Sequence, residues 1–191
     1  EACGAIWNLS FNNAENSALL GRLGACEVVV RALVEQILVS DVVQQACGAI
    51  YNLSLNNPEY NALLGRSGAC EAVVRALVEH MSVSDVAQWA CGAICNLSSN
   101  NAENRALLGG LGACEAVVRA LVEHMSVSDV AKEACGAIYI LSSNNAENSA
   151  LLGRLGACEA VIRALLAHIS TQRAAERARE AIRSLTVMQP S

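Results

Sequence analysis

Nine cysteines and three histidines are the residues of this 191-residue chain best suited to hold a metal or attack a substrate, and their spacing speaks against both. Eight of the cysteines occupy two recurring sites, Cys3, Cys47, Cys91 and Cys135 at one and Cys26, Cys70, Cys114 and Cys158 at the other. There is no CxxC pair and no Cys/His ligand spacing, so neither a zinc site nor any other cofactor is expected. His80, His124 and His168 recur at one site near the end of a helix, where a cation-capable side chain complements the dipole. They stand about one helix-packing distance apart, ~10 Å, too far to share an ion. Small apolar neighbours mark the eight repeat-site thiols as buried and reduced, which points to the cytoplasm or nucleus. The ninth, Cys95, replaces Trp7, Tyr51 and Tyr139 at a third site and is expected to be the one accessible thiol. It has no evident base beside it. With no Walker loop, nucleophile elbow or carboxylate pair either, the chain is not expected to be an enzyme.

The chemistry that remains is recognition. One stripe of side chains varies from copy to copy while its surroundings repeat: Glu1, Gln45, Trp89, Glu133; then Trp7, Tyr51, Cys95, Tyr139; then Asn8, Asn52, Asn96, Ile140; then Phe11, Leu55, Ser99, Ser143. A side-chain amide offers both donor and acceptor and can close two hydrogen bonds with a peptide unit whatever the peptide's sequence. Large apolar groups on the same exposed side suit an interaction surface better than free drift would. The candidate groove is therefore Trp7, Asn8, Phe11, Gln45, Tyr51, Asn52, Leu55, Trp89, Cys95, Asn96, Glu133, Tyr139 and Ile140. An alternative use of the asparagines is a structural row joining neighbouring units.

What must position these groups is a tandem repeat. Ala-Cys-Gly-Ala-Ile recurs from Ala2, Ala46, Ala90 and Ala134, a period of 44 residues, and Ala46–Trp89 differs from Ala90–Glu133 at only nine positions. Such a period marks a solenoid in which each unit buries its apolar face against the next. Within Asn57–Ser98 the punctuation gives three helices. A short one near Glu59–Arg66 follows Asn57, and Gly65 and Gly68 break it. A second covers Ala69–Met81. Ser84 and Asp85 supply the next start signal, and a third helix runs from Val86 to about Ser98. On that third helix Ala90, Ala93, Ile94 and Leu97 share a packed face, opposite the variable stripe. The mid-helix glycines Gly4, Gly48, Gly92 and Gly136 each cost roughly 0.5–1 kcal/mol relative to Ala, so something must approach closely there.

A composition of 53% apolar and 3% aromatic residues, with two prolines, suits closely packed helices and argues against a sheet. The net charge of −5 argues against a nucleic-acid partner. The one basic cluster, Arg173, Arg177, Arg179 and Arg183, is interleaved with Glu176 and Glu180 and reads as a solvated cap. No apolar run reaches the ~18 residues that span a bilayer, so no membrane partner is expected.

A short helix, a Gly break, a second helix and a long third helix ending Ala-Ile-Xaa-Asn-Leu-Ser resemble the armadillo repeat, over essentially the whole chain. The resemblance implies an all-α, right-handed α-solenoid forming a single domain over 1–191: a lone third helix at 1–11, full units at 12–55, 56–99 and 100–143, and a C-terminal unit with its cap at 144–191. In armadillo proteins such as importin-α and β-catenin the third helices line a groove that binds extended peptides. The family's backbone-clamping asparagine maps onto Asn8, Asn52 and Asn96, and Ile140 ends the ladder. Where nuclear-import adaptors carry a tryptophan four positions earlier, this chain has Gly4, Gly48, Gly92 and Gly136. The expected function is thus a protein–protein interaction scaffold for an extended peptide or unstructured segment. Its rival is a structural or engineered repeat module without a dedicated ligand. The bare N-terminal helix adds an expectation of weak self-association through that end.

Overall fold

The computed structural model describes residues 1–170 and 172–187, and all regular structure among them is helical. A lone helix α1 (Ala2–Ser10) is followed by three units of three helices: α2 (Ala14–Arg22), α3 (Ala25–Glu35) and α4 (Ser40–Ser54); α5 (Pro58–Arg66), α6 (Ala69–Glu79) and α7 (Ser84–Ser98); α8 (Ala102–Gly110), α9 (Ala113–Glu123) and α10 (Ser128–Ser142). A last unit comprises α11 (Ala146–Arg154), α12 (Ala157–Ala167) and α13 (Gln172–Val187). The third helices α1, α4, α7, α10 and α13 pack side by side in chain order, as the spine of a right-handed α-solenoid.

Each unit is punctuated by the same few residues. Asn13, Asn57, Asn101 and Asn145 cap the short first helix, their side-chain oxygens accepting the amide three residues on at 2.9–3.1 Å. Just before them, Asn12, Asn56, Asn100 and Asn144 take φ of 50–53°, turning the chain sharply out of the third helix in a conformation that asparagine tolerates better than other side chains. Gly24, Gly68, Gly112 and Gly156, at φ 74–86°, make the break between first and second helices.

Three local expectations need correction. Gly65 does not break α5. It lies within the helix, where a Cβ would collide with the Asn104 side chain of the next unit, so its role is close approach. The second helix stops at Glu79 because His80 leaves helical geometry at φ −111° and its carbonyl accepts from Val83 N instead. The third helix starts at Ser84, earlier than Val86, with Val83 at the cap position and no capping side chain. Ser84 and Asp85 therefore sit inside the first turn, where Asp85 complements the dipole.

Packing also exceeds the one-sided pattern read from the sequence. On α7 not only Ala90, Ala93, Ile94 and Leu97 but also Cys91, Gly92, Cys95 and Ser98 are buried. An interior solenoid helix has a third helix on either side of it, so two faces are covered. The exception is the first helix: Leu9 is 53% exposed, whereas Leu53, Leu97 and Leu141 at the same site are 0% exposed. At the other end α13 turns Ala174, Ala178, Ala181 and Leu185 inward and leaves Arg179 and Arg183 exposed.

Candidate functional site

The asparagine ladder lies between units. Asn52 Nδ2 donates to the Trp7 carbonyl and Asn96 Nδ2 to the Tyr51 carbonyl, both at 3.0 Å, so each asparagine ties its third helix to the preceding one. The partners are backbone carbonyls rather than other asparagines. Asn52 is buried, Asn96 half-buried and Asn8 exposed. The second N–H and the Oδ1 of Asn52 and Asn96 have no partner among the described residues. Asn52 borders a pocket of about 260 Å³ beside Asn12, Asn13 and Leu55, and Asn96 one of about 190 Å³ beside Asn56, Asn57 and Asn100. Both lie on the loop side of the third helices. Ile140 has no amide, and no such rung reaches from it to α7.

Beside the ladder the large side chains close on one another. Trp89 meets Trp7 edge-on with ring centroids 4.9 Å apart, and meets Tyr51 at 5.5 Å in the same manner. Trp7 and Trp89 belong to third helices two units apart, so this face curves inward. The glycines explain how the rings fit. A Cβ on Gly48 would stand 2.6 Å from the Trp7 ring, and one on Gly92 2.8 Å from Tyr51. Each aromatic lies across the glycine of the next unit. It is a neighbouring side chain, held within the fold, that requires the missing Cβ. Gln45 lies likewise over Gly4, here the glycine of the preceding third helix, at 2.8 Å, and its side-chain carbonyl oxygen Oε1 is buried without a partner.

At the third junction the pattern changes. Cys95 takes the aromatic's place, and the nearest groups to a Cβ on Gly136 would be Cys95 Sγ at 3.5 Å and Arg177 Nε at 3.7 Å. A cavity of about 410 Å³ opens here, bordered by Tyr51, Glu133, Arg173 and Arg177 among others. Glu133 is 8% exposed and pairs with Lys132 at 2.9 Å. Burial, together with the carboxylate of Glu133, pushes the Tyr51 phenol up to about 12 despite Arg177 and Arg173, so it stays protonated and able to donate.

Cys95 itself is buried, 7% exposed, contrary to the expectation of an accessible thiol. Burial pushes it up to about 12, with Arg177 opposing and Glu133 adding to the shift. The reason is that Arg177 covers it from α13. Among the repeat-site thiols Cys158 alone is partly exposed. Phe11 and Leu55 are exposed at the ends of α1 and α4, and Tyr139 and Ile140 are half-buried on α10. Sequence reasoning assigned Arg173 and Arg177 to a solvated cap. Extending the repeat by one more period would have found them, because Arg177 falls on the site of Glu133 and Arg173 on that of Asp129.

The histidines join the units on the opposite end of the second helices. Nε2 of His80, His124 and His168 lies 2.6, 2.7 and 2.8 Å from the carbonyls of Ile37, Met81 and Met125. A carbonyl can only accept, so Nε2 carries the proton. No group of residues fit to hold a metal ion occurs among the described residues, and no described helix is long and apolar enough to cross a membrane.

Three-helix units joined through their third helices, with a curved face of amides and aromatics, define an armadillo-type scaffold. A family model described as LRRK2 ARM repeat matches residues 11–191, and the chain belongs to that family. Among solved structures, the designed armadillo repeat protein YIII(Dq)4CqI superposes with a TM-score of 0.80 at 27% identity, over 95% of this chain and 73% of that one. The designed armadillo repeat protein YIII(Dq.V1)4CPAF, in complex with the peptide (KR)4, gives 0.78 at 29% identity, over 95% and 72%. A further engineered protein gives 0.80 at 23% identity; this chain covers 95% of its own length but only 42% of that protein's. A search of curated protein sequences finds no match.

Proposed function

We propose that the chain is a scaffold that binds an extended peptide or an unstructured segment of another protein along the face of the third helices. The observation that carries this reading is the unspent half of each ladder amide. Asn52 and Asn96 each commit one N–H to the preceding unit and still border an open pocket with a donor and an acceptor. The similarity to a designed armadillo protein described in complex with a peptide supports it. Successive rungs stand about 8–10 Å apart and an extended chain advances ~3.3–3.6 Å per residue, which gives two to three peptide residues per unit.

The test is a random peptide library screened against the intact chain and against the Asn52→Ala, Asn96→Ala double variant. Enrichment of an extended motif that the variant loses upholds the reading. Loss of both amides would weaken every selected peptide by at least about tenfold, from up to four hydrogen bonds at ~0.5–1.5 kcal/mol each. No enrichment, with only a lowered melting point in the variant, would transfer the asparagines to a purely structural role.

A second contact is proposed at the N-terminal end, where Leu9, Phe11 and Leu23 are 53%, 57% and 73% exposed. The charged outer side of α13 does not match this apolar face, so copies would meet face to face as a closed pair rather than an open fibre. Sedimentation would show a concentration-dependent dimer abolished by Leu9→Glu, whereas a monomer throughout would contradict it.

A further inference from the structure

The peptide groove proposed above has one compartment whose ligand chemistry differs from the rest. We propose that the cavity between α10 and α13 is a carboxylate subsite, in which Arg173, Arg177 and the Tyr51 phenol receive a carboxylate of the bound segment. This rests on the peptide reading for its occupant.

The argument is an accounting of partners around the cavity. Its three acids are already served: Glu133 by Lys132 at 2.9 Å, Glu180 by Arg177 at 3.1 Å and Glu176 by the Gln172 amide at 2.9 Å. Arg173 and the Tyr51 hydroxyl are donors with no partner among the described residues, and both border the cavity. Arg177 spends only Nη1 on Glu180, leaving other guanidinium N–H groups free. Each carboxylate keeps a second oxygen, but the lining groups left without any partner, Arg173 and the Tyr51 hydroxyl, are both donors and one is cationic. The cavity also reaches the first turn of α13, whose dipole adds positive potential. A carboxylate could accept from a guanidinium and a phenol at once, in the charge-assisted geometry that makes such bonds strong.

The repeat explains why this compartment exists at one junction. Trp7 covers Gly48 and Tyr51 covers Gly92, while Cys95 is too small to cover Gly136, so space remains and Arg177 enters it. Restoring an aromatic should close the site without straining the fold, because the same site carries Tyr51 and Tyr139 in neighbouring units.

Fluorescence anisotropy with labelled (Glu-Ala)4, (Gln-Ala)4 and (Lys-Ala)4 tests this, each with a free and an amidated C terminus. The expected result is that (Glu-Ala)4 binds roughly tenfold tighter than (Gln-Ala)4. Arg173→Gln and Cys95→Tyr should close that gap, with circular dichroism showing that both variants remain helical, and Arg179→Gln on the outer side of α13 should keep it. A Glu preference that survives amidation makes the carboxylate a side chain, whereas a loss on amidation shared by the Glu and Gln peptides makes it the C terminus, and either source upholds the subsite. Equal binding of the Glu and Gln peptides together with no effect of amidation, tighter binding of (Lys-Ala)4, or a preference that survives Arg173→Gln overturns it while leaving the groove reading in place. Glutarate, with glutaramide as the neutral control, separates the two further. It should shift the Arg173 and Arg177 Nε resonances of the intact chain in NMR whether or not any peptide binds, and no shift would overturn the subsite alone.

Discussion

The junctions at Gly48 and Gly92 and the junction at Gly136 are built on the same backbone, yet the first two are closed by aromatic rings and the third holds a charged cavity. A single site accounts for the difference. Trp7 and Tyr51 lie across the glycine of the next unit, whereas Cys95 leaves that space to Arg177 from the unit beyond. In a solenoid, then, the shape of a groove can be changed one compartment at a time, because each unit touches mainly its neighbours.

The largest effect that bears on this comparison is on stability at high pH. Burial pushes the thiol of Cys47 up to about 12 at a closed junction, that of Cys70 to about 12 on α6, and those of Cys95 and Cys135 to about 12 at the open junction. The unfolded chain releases these protons from about pH 9 and the folded chain retains them. The unfolded state therefore binds fewer protons across pH 9–12, and unfolding free energy falls as pH rises. Each such thiol contributes at most ~1.4 kcal/mol per pH unit, so several together can exceed the ~5–15 kcal/mol that holds a typical domain folded. Urea melts between pH 8 and 11 would show this loss. Cys95→Ala and Cys47→Ala should each relieve a similar share; a smaller share for Cys95 would mean that water reaches it through the cavity.

The glycines give a smaller effect of opposite sign at the two kinds of junction. Gly48→Ala and Gly92→Ala gain helix propensity but drive a methyl into a packed ring, for a net loss of about 1–2 kcal/mol. Gly136→Ala meets only ordinary contacts and should gain about 0.5–1 kcal/mol. Chemical denaturation of the three variants would show whether the signs divide as the side chains do. Equal losses at all three would mean that the third junction is as tightly closed as the others.

Thiol labelling of the native chain at neutral pH gives the finest distinction. Cys158 should react first and Cys95 slowly, together with the other buried thiols, because Arg177 seals it on the cavity side. Arg177→Ala should bring Cys95 forward, and rapid reaction of Cys95 in the unaltered chain would show that the seal is absent.

The fold was legible because it is written four times. Period, helix punctuation and the capping asparagines all pointed to three-helix units, and small boundary errors arose where a helix turn could begin without a side-chain cap, as at Val83. The candidate site was less legible. Asn52, Cys95 and Glu133 sit on the stripe that helical periodicity identifies, but their burial depends on what the next units place above them. Helical spacing gives the direction of a side chain and says nothing of a partner 82 residues away, such as Arg177 near Cys95 or Trp89 against Trp7. The role of the mid-helix glycines was open for the same reason until the rings that cover them were in view.

The hydrogen bonds between units have a polarity. Asn52, Tyr60, His80, Asn96, His124, His168 and the amides of Asn104 and Asn148 all reach back to carbonyls of the preceding unit, whereas Asn61 donates to Asn96 within its own unit. Deleting the last unit takes its donors away with it and leaves carbonyls that water can serve. Deleting α1 would leave the Asn52 donor without its carbonyl, and deleting α1 to α4 would do the same to Tyr60, His80 and Asn96. A chain made from its N terminus meets each acceptor before the donor that needs it, so the direction of synthesis and the direction of stacking coincide.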